Sequence, residues 1–311
     1  MLLTVTLNPS IDISYFVDNF QMDHVNRTDK VTKTPGGKGL NVSRVLHQLK
    51  IPVTATGFLG GHTGELLKDG LDQLEIKHSF SPCAEETRNC IAILSENKQT
   101  EILEPGPTIK QDEINQFLKN FTVLLKTGIE WVTLSGSLPQ GCPDDFYQTL
   151  LALSEKEKCK VLLDSSGPYL QKALAGKNKP YLIKPNHQEL ADLLQKKPSR
   201  NTETLLDYLK DPLFDGVSYI VVTLGAEGAL IKNGDNYYKA SLPKIQAINP
   251  VGSGDASLAG IAAALYHKKS LSDVLKTGMT TGLLNTLEAQ TGTIDIDHFN
   301  DYFDQIHVEK L

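Results

Sequence analysis

Residues 249–265 read NPVGSGDASLAGIAAAL, so that Gly252, Ser253 and Gly254 run directly into an alanine-rich helical segment. Glycines at such a turn let successive backbone N–H groups converge, and the helix start adds partial positive charge, which suits an anion. Asp255 follows in the first helical turn. Ser and Asp also favour that turn for purely local reasons, so a capped helix start and a phosphate cradle with a carboxylate at its edge are both open readings.

Upstream, short β-branched and leucine-rich runs recur: LLTVTL near the start, VTATGF at 53, WVTLSG at 131, VLLD at 161, YLIKP at 181 and YIVVTLG at 219. Each reads as a buried strand. Helical patterns lie between them, as in residues 111–126, where Ile114, Phe117, Leu118, Phe121, Leu124 and Leu125 keep the spacing of one helix face. Strands alternating with helices imply a mostly parallel sheet covered on both faces, an α/β fold. Residues 11–34 and 88–105 break the rhythm, being extended and alternating apolar with polar, with SENK at 95–98 read as a hairpin turn. They are expected to form a small accessory β-sheet, set apart from a main unit built of 1–10, 35–87 and 106–311. A thin sheet must cover its apolar face on the main unit, over a ligand or against a second chain.

Three further motifs carry polar groups at strand or helix ends. TPGGKGLNVSRVLHQL at 34–49 sets Gly36, Gly37, Lys38 and Asn41 at the head of an amphipathic helix, where a ligand could lie against bare backbone. This is neither a P-loop nor a dinucleotide-binding G-x-G-x-x-G turn, since Val42 occupies the last glycine position. IKPNHQEL at 183–190 puts Lys184 at a strand end and Asn186 and Glu189 on a helical turn, which fits a capping box and equally a hydrated Mg2+. VTLGAEGALI at 222–231 offers Thr223, Gly225 and Gly228 either to a passing nucleotide or to a plain hairpin turn. Asp12, Ser135, Ser137 and Asp164 stand near strand ends, and in parallel sheets those ends line the ligand crevice. Arg27 and Arg88, one in each extended stretch, are the candidates for a phosphate, which guanidinium binds bidentately.

The bulk properties narrow the field. With 311 residues, 40% hydrophobic and 22% charged, the chain has the balance of a globular protein. Net charge is −6, which argues against a general nucleic-acid binder. No window reaches the roughly 18 to 20 continuous apolar residues of a membrane span, and the N-terminus lacks a secretory pattern, so a cytoplasmic location away from membranes is expected. The four cysteines include no CxxC pair and read as reduced thiols.

Taken together, GGKGLN at 36–41 and NPVGSGD at 249–255 resemble the two signatures of the PfkB family of carbohydrate kinases, in the right order and separation. The strings GFLGG, TRNCIAIL, QTEILE, SGSLP, LLDSSG, LGAEGA and EAQTG extend the likeness over the whole chain. They resemble in particular the family's tagatose-6-phosphate kinases of the lactose-utilising type, with 1-phosphofructokinases next in pattern. The resemblance implies a ribokinase-like three-layer α/β/α unit with a β-sheet lid, and homodimers built on that lid. It implies ATP and Mg2+ as cofactors, with Asp12, Gly36, Gly37, Lys38 and Asn41 at the sugar and Arg27, Arg88 and Ser137 on the substrate side. Lys184, Asn186, Glu189, Thr223, Gly225 and Gly228 would serve nucleotide and metal, with Asn285 a polar contact to the adenine. Gly252, Ser253, Gly254 and Asp255 would carry the transfer. A nucleotide-binding regulatory protein without turnover is the reading from another class, and a nicotinamide-dependent dehydrogenase is disfavoured by the missing glycine turn.

Overall fold

The strand Leu2–Thr6, apolar at three positions of five and wholly buried, lies inside the sheet that organises the protein. In the computed structural model, which describes residues 1–96 and 98–311, it pairs in parallel with Val53–Leu59 on one side and Trp131–Ser135 on the other. The parallel run continues through Lys160–Asp164, Leu182–Ile183 and Tyr219–Thr223. All six expected strands are therefore in one sheet. The far edge is antiparallel: Ala229–Asn233, Asn236–Ser241 and His307–Lys310. Hydrophobic side chains are buried on both faces of this sheet. One face meets Gln111–Leu125, Phe146–Lys156 and Gly167–Ala175, with Phe117, Phe121, Phe146 and Leu150 packed on Leu3 and Val5. The other meets Lys38–Gln48, Ser253–Tyr266 and Leu271–Thr286, with Val42, Leu46 and Ile261 packed on Leu2 and Leu162. These three layers form the mixed α/β ribokinase-like fold.

A second sheet has the order Val31–Gly36, Ser10–Phe16, Arg88–Ser95 and Lys98–Leu103. Of the turn read at 95–98, Asn97 lies outside the described residues. The alternation along Ser10–Phe16 divides its two faces. Ile11 and Ile13 are buried with Leu40, Leu59, Leu67 and Leu71, while Ser10, Asp12, Ser14 and Phe16 line a cavity. The apolar face of this central strand is thus covered within the chain, against the helices Lys38–Gln48 and Gly61–Gln73. Phe20, Met22, Val25, Val31, Ile102 and Leu103 stay exposed in this region, Ile102 on the edge strand in register with Ile91 and Ile13.

Candidate active site

The ends of the parallel strands and the cavity side of the second sheet enclose about 1160 Å³. Its walls include Asp12, Gly37, Lys38, Asn41, Arg88, Lys184, Asn186, Glu189, Thr223, Gly225, Gly228 and the run Gly252–Asp255. Fifteen positions from six separate sequence motifs therefore meet in one space.

At its centre the helix Ser253–Tyr266 begins. Gly252 precedes it with φ 81°, a left-handed conformation that L-residues with a side chain seldom adopt. No side chain caps the helix, and the Ser253 N–H turns back to the Pro250 carbonyl at 3.4 Å. The first-turn N–H groups of Gly254 and Asp255 are then the ones left for a ligand. Lys184 adds an ammonium to this place: a Cβ built on Gly254 would lie 3.3 Å from its Nζ.

Asp255 is 6% exposed, and Asn41 Nδ2 donates to its Oδ2 at 2.8 Å. Burial pushes its carboxyl up to about 6, the nearby charge of Asp164 adds to the rise, and Lys38, the Asn41 donor and Lys184 oppose it. Asp164, at the end of its strand, lies 3.4 Å from the Lys184 ammonium, both side chains being about 5% exposed or less. Lys38 is held cationic chiefly by Asp164, with Asp255 contributing. Two buried carboxylates and two lysines thus surround the helix start. Desolvation raises Asp12 as well, against the hydrogen bond from Ser10 Oγ at 2.7 Å and the positive charges of Arg44 and Arg88. Gly36 is part of that arrangement without lining the cavity, because a Cβ on it would fall 2.1 Å from the Asp12 carboxyl carbon.

A smaller annex of about 360 Å³ opens beside the main cavity and shares Lys38 and Arg88 with it. Ser135, Ser137, Ser165 and Ser166 contribute hydroxyls to its wall. Arg88 donates to the carbonyls of Glu104 and Asn8 at 3.1 and 3.0 Å, and its Nε has no protein partner. Thr6 Oγ1, Asn8 Oδ1 and Ser135 Oγ are also buried without a protein partner. Buried polar atoms are normally satisfied, so this many along one annex mark a place for a polar ligand or water.

Two expected residues are elsewhere. Arg27 is exposed in the segment after the strand Ser10–Phe16 and lines neither space, because that segment runs out over the surface. Asn285 is fully buried, with its Oδ1 accepting from Gly292 N at 3.4 Å, so it lies beneath the Gly252 turn and does not reach the cavity. Asn186 and Glu189 do form the capping box: Asn186 Oδ1 accepts from Gln188 N and Glu189 N, and Glu189 Oε2 accepts from Asn186 N, all at 2.9 Å. The hairpin reading of 222–231 holds too, the strands Tyr219–Thr223 and Ala229–Asn233 pairing antiparallel, and Thr223, Gly225 and Gly228 still line the cavity. Sequence reasoning missed Arg44, buried beside Asn41, and Arg200 at the cavity wall, paired with Glu227 at 2.7 Å. An arginine on the buried face of an amphipathic helix was the available signal for Arg44; Arg200 had none, being brought in by the fold of an exposed segment.

Among solved structures, the chain is similar to Escherichia coli phosphofructokinase-2 in complex with potassium, at 26% identity and TM-score 0.90 over 98% of both chains. The same enzyme in complex with fructose-6-phosphate matches at 25% identity and TM-score 0.88 over 98% of both. A possible 1-phosphofructokinase from Thermotoga maritima matches at 26% identity and TM-score 0.88, over 100% of this chain and 99% of that one. Residues 5–297 match the model of the pfkB family of carbohydrate kinases, and with both of its glycine turns converging on one buried carboxylate the chain belongs to that phosphotransferase family.

Proposed function

We propose that the protein transfers the γ-phosphoryl group of ATP to the C1 hydroxyl of D-tagatose 6-phosphate, giving the 1,6-bisphosphate and ADP. The observation that carries the transfer chemistry is Asp255: a buried carboxylate, raised to about 6, beside the uncapped start of a helix. The tagatose assignment is supported by the run of sequence strings along the chain. A second reading, fructose 6-phosphate or fructose 1-phosphate as acceptor, is supported by the similarity to phosphofructokinase-2 and to a 1-phosphofructokinase.

The hydroxyl oxygen attacks the γ-phosphorus, the bond to the β,γ-bridging oxygen breaks with its electron pair leaving on ADP, and the hydroxyl proton passes to Asp255. A carboxylate tuned to about 6 is ionised near neutrality yet basic enough to take that proton. Phosphoryl transfer has a loose transition state and depends mainly on alignment and charge neutralisation. The free N–H groups of Gly254 and Asp255 after the Gly252–Ser253 turn, with Lys184 and Lys38, supply that neutralisation. The acceptor's own phosphate fits the annex, where Arg88 and the Ser137 hydroxyl are donors. Asp12, given room by Gly36, holds the sugar between with Gly37 and Asn41, and Thr223, Gly225 and Gly228 border the nucleotide.

For Mg2+, the described residues contain no cluster of three acidic, histidine or cysteine side chains placed to hold a metal ion. Asn186 and Glu189 have their capping contacts in place, which fits a hydrated ion met through water rather than a closed protein cage. Bound there, the ion would neutralise phosphate charge. We further propose a homodimer built on the second sheet, supported by exposed Ile102 and Leu103 on its edge strand.

A coupled ADP-release assay over tagatose 6-phosphate, fructose 6-phosphate and fructose 1-phosphate tests the assignment. Highest kcat/KM on tagatose 6-phosphate is expected; equal or higher values on a fructose phosphate would transfer the assignment to that sugar.

A further inference from the structure

Arg44 is 4% exposed, inside the helix Lys38–Gln48, in a position where a charged side chain is costly unless it is used. Its Nη2 donates to Asn41 Oδ1 at 2.7 Å, and Asn41 Nδ2 donates in turn to Asp255 Oδ2 at 2.8 Å. Three buried side chains are thus joined in series across 214 residues of sequence. The polarity of the series is fixed by its ends. A guanidinium has only donors and a carboxylate only acceptors, so the Asn41 amide between them satisfies both in one orientation. Flipped, it would set its NH2 against the guanidinium and its oxygen against the carboxylate.

Arg44 is itself confined. A Cβ on Gly292 would fall 2.8 Å from Nη2, so the chain after the helix Leu271–Thr286 presses on the guanidinium. Gln48, one turn further along the same helix, donates to the Arg44 and Gly292 carbonyls at 3.0 and 3.1 Å and accepts from Ile294 N at 2.8 Å. The clamp ties the helix Lys38–Gln48 to the segment 292–294 and leaves the guanidinium little room to swing.

Resting on the reading of Asp255 as the proton acceptor, we propose that Arg44 is a positioning residue for catalysis, locking the Asn41 amide so that it presents its NH2 to the Asp255 carboxylate. The charges facing Asp255 are Asp164, Lys38 and Lys184 in addition to the Arg44–Asn41 series, and those facing Arg44 are Asp12 and Asp255. Burial lowers the guanidinium only to about 10, so it stays charged through neutrality.

The test is steady-state kinetics of Arg44→Met, Arg44→Lys and Asp255→Asn with saturating MgATP and tagatose 6-phosphate, from pH 5 to 8.5, with melting curves alongside. Misplacing a reacting group by about 1 Å costs on the order of 10²-fold, so Arg44→Met is expected to lower kcat roughly 10- to 100-fold with little change in KM for ATP. Losing the oriented donor and the cation should also move the acidic limb of kcat upward, a shift that a packing defect does not produce. Arg44→Lys should recover most of both. In an Asn41→Ala background, Arg44→Met should lower kcat little further, since the effect passes through Asn41. A folded Arg44→Met enzyme with wild-type kcat and an unmoved limb overturns the proposal, as does a full additional loss in the Asn41→Ala background. Should Arg44→Met not fold, Arg44→Gln is read the same way. Near wild-type kcat in Asp255→Asn would instead remove the reading of Asp255; an inactive Asp255→Asn with unaffected Arg44 variants removes only the relay.

Discussion

Replacing Asp255 by Asn should stabilise the protein while disabling it. The carboxyl is raised from the ordinary 3.8 to about 6, first by burial and then by Asp164. Because the folded value lies above the unfolded one, the folded state binds the proton more tightly, and the favourable contribution present below about pH 4 is lost as pH rises through 6. Above that, the ionised group costs about 1.4 kcal/mol per pH unit of difference, roughly 3 kcal/mol in all at pH 8 and about half of that at pH 5. Asparagine carries no charge at any pH, keeps an oxygen to accept from Asn41 and serves equally well in a first helical turn. Denaturant melts of wild type and Asp255→Asn at pH 5, 6.5 and 8 should therefore show a gain of ~1 to 3 kcal/mol at pH 8 that shrinks toward pH 5. A variant destabilised at pH 8, or a gain independent of pH, would refute the account of Asp255 as a buried, ionised carboxylate.

Arg88→Ala should raise KM for the sugar phosphate by roughly one to two decades, from loss of a charge-assisted contact worth ~1.5 to 3 kcal/mol, with KM for ATP nearly constant. Arg27→Ala should raise it much less, since Arg27 lies outside both cavities; equal effects in steady-state kinetics would bring its segment to the phosphate. Gly36→Ala sets a Cβ against the Asp12 carboxyl and should impair sugar binding more than nucleotide binding, so unchanged KM for the sugar phosphate would show that Asp12 is not needed where it stands. Light scattering at micromolar concentration should give a dimer, and Ile102→Lys with Leu103→Lys a monomer; a monomeric wild type would remove the lid-built dimer.

Much of this was legible from the chain. Strand runs such as LLTVTL and YIVVTLG carry their burial in composition, and the alternation of Ser10–Phe16 marked a sheet with two different faces. The turn at Gly252 was visible because few residues other than glycine adopt its backbone conformation. What the sequence did not carry was depth. As a string, Asp255 in a first helical turn is a favourable exposed charge, and only the packing of Lys38–Gln48 against Ser253–Tyr266 makes it a buried group with a displaced acidity. Depth was hidden at Asn285 too, whose polar side chain is fully buried under the Gly252 turn and does not line the cavity. The Arg44–Asn41–Asp255 series joins residues more than two hundred positions apart, beyond the reach of any local spacing rule. Arg27 shows the opposite limit, since residue type alone suggested a phosphate partner while its segment runs over the surface, outside both cavities of the chain.

If Asp255 is the proton acceptor, a ketose phosphate receives a phosphoryl group at C1 through it. Phosphorus NMR of a reaction containing the enzyme, MgATP and tagatose 6-phosphate observes this directly. On this reading, a new C1 phosphate ester should accumulate in step with ADP for wild type, and at a rate lower by about 10² to 10⁴ for folded Asp255→Asn. No C1 ester with wild type on any ketose phosphate, or equal rates in the two proteins, would contradict it.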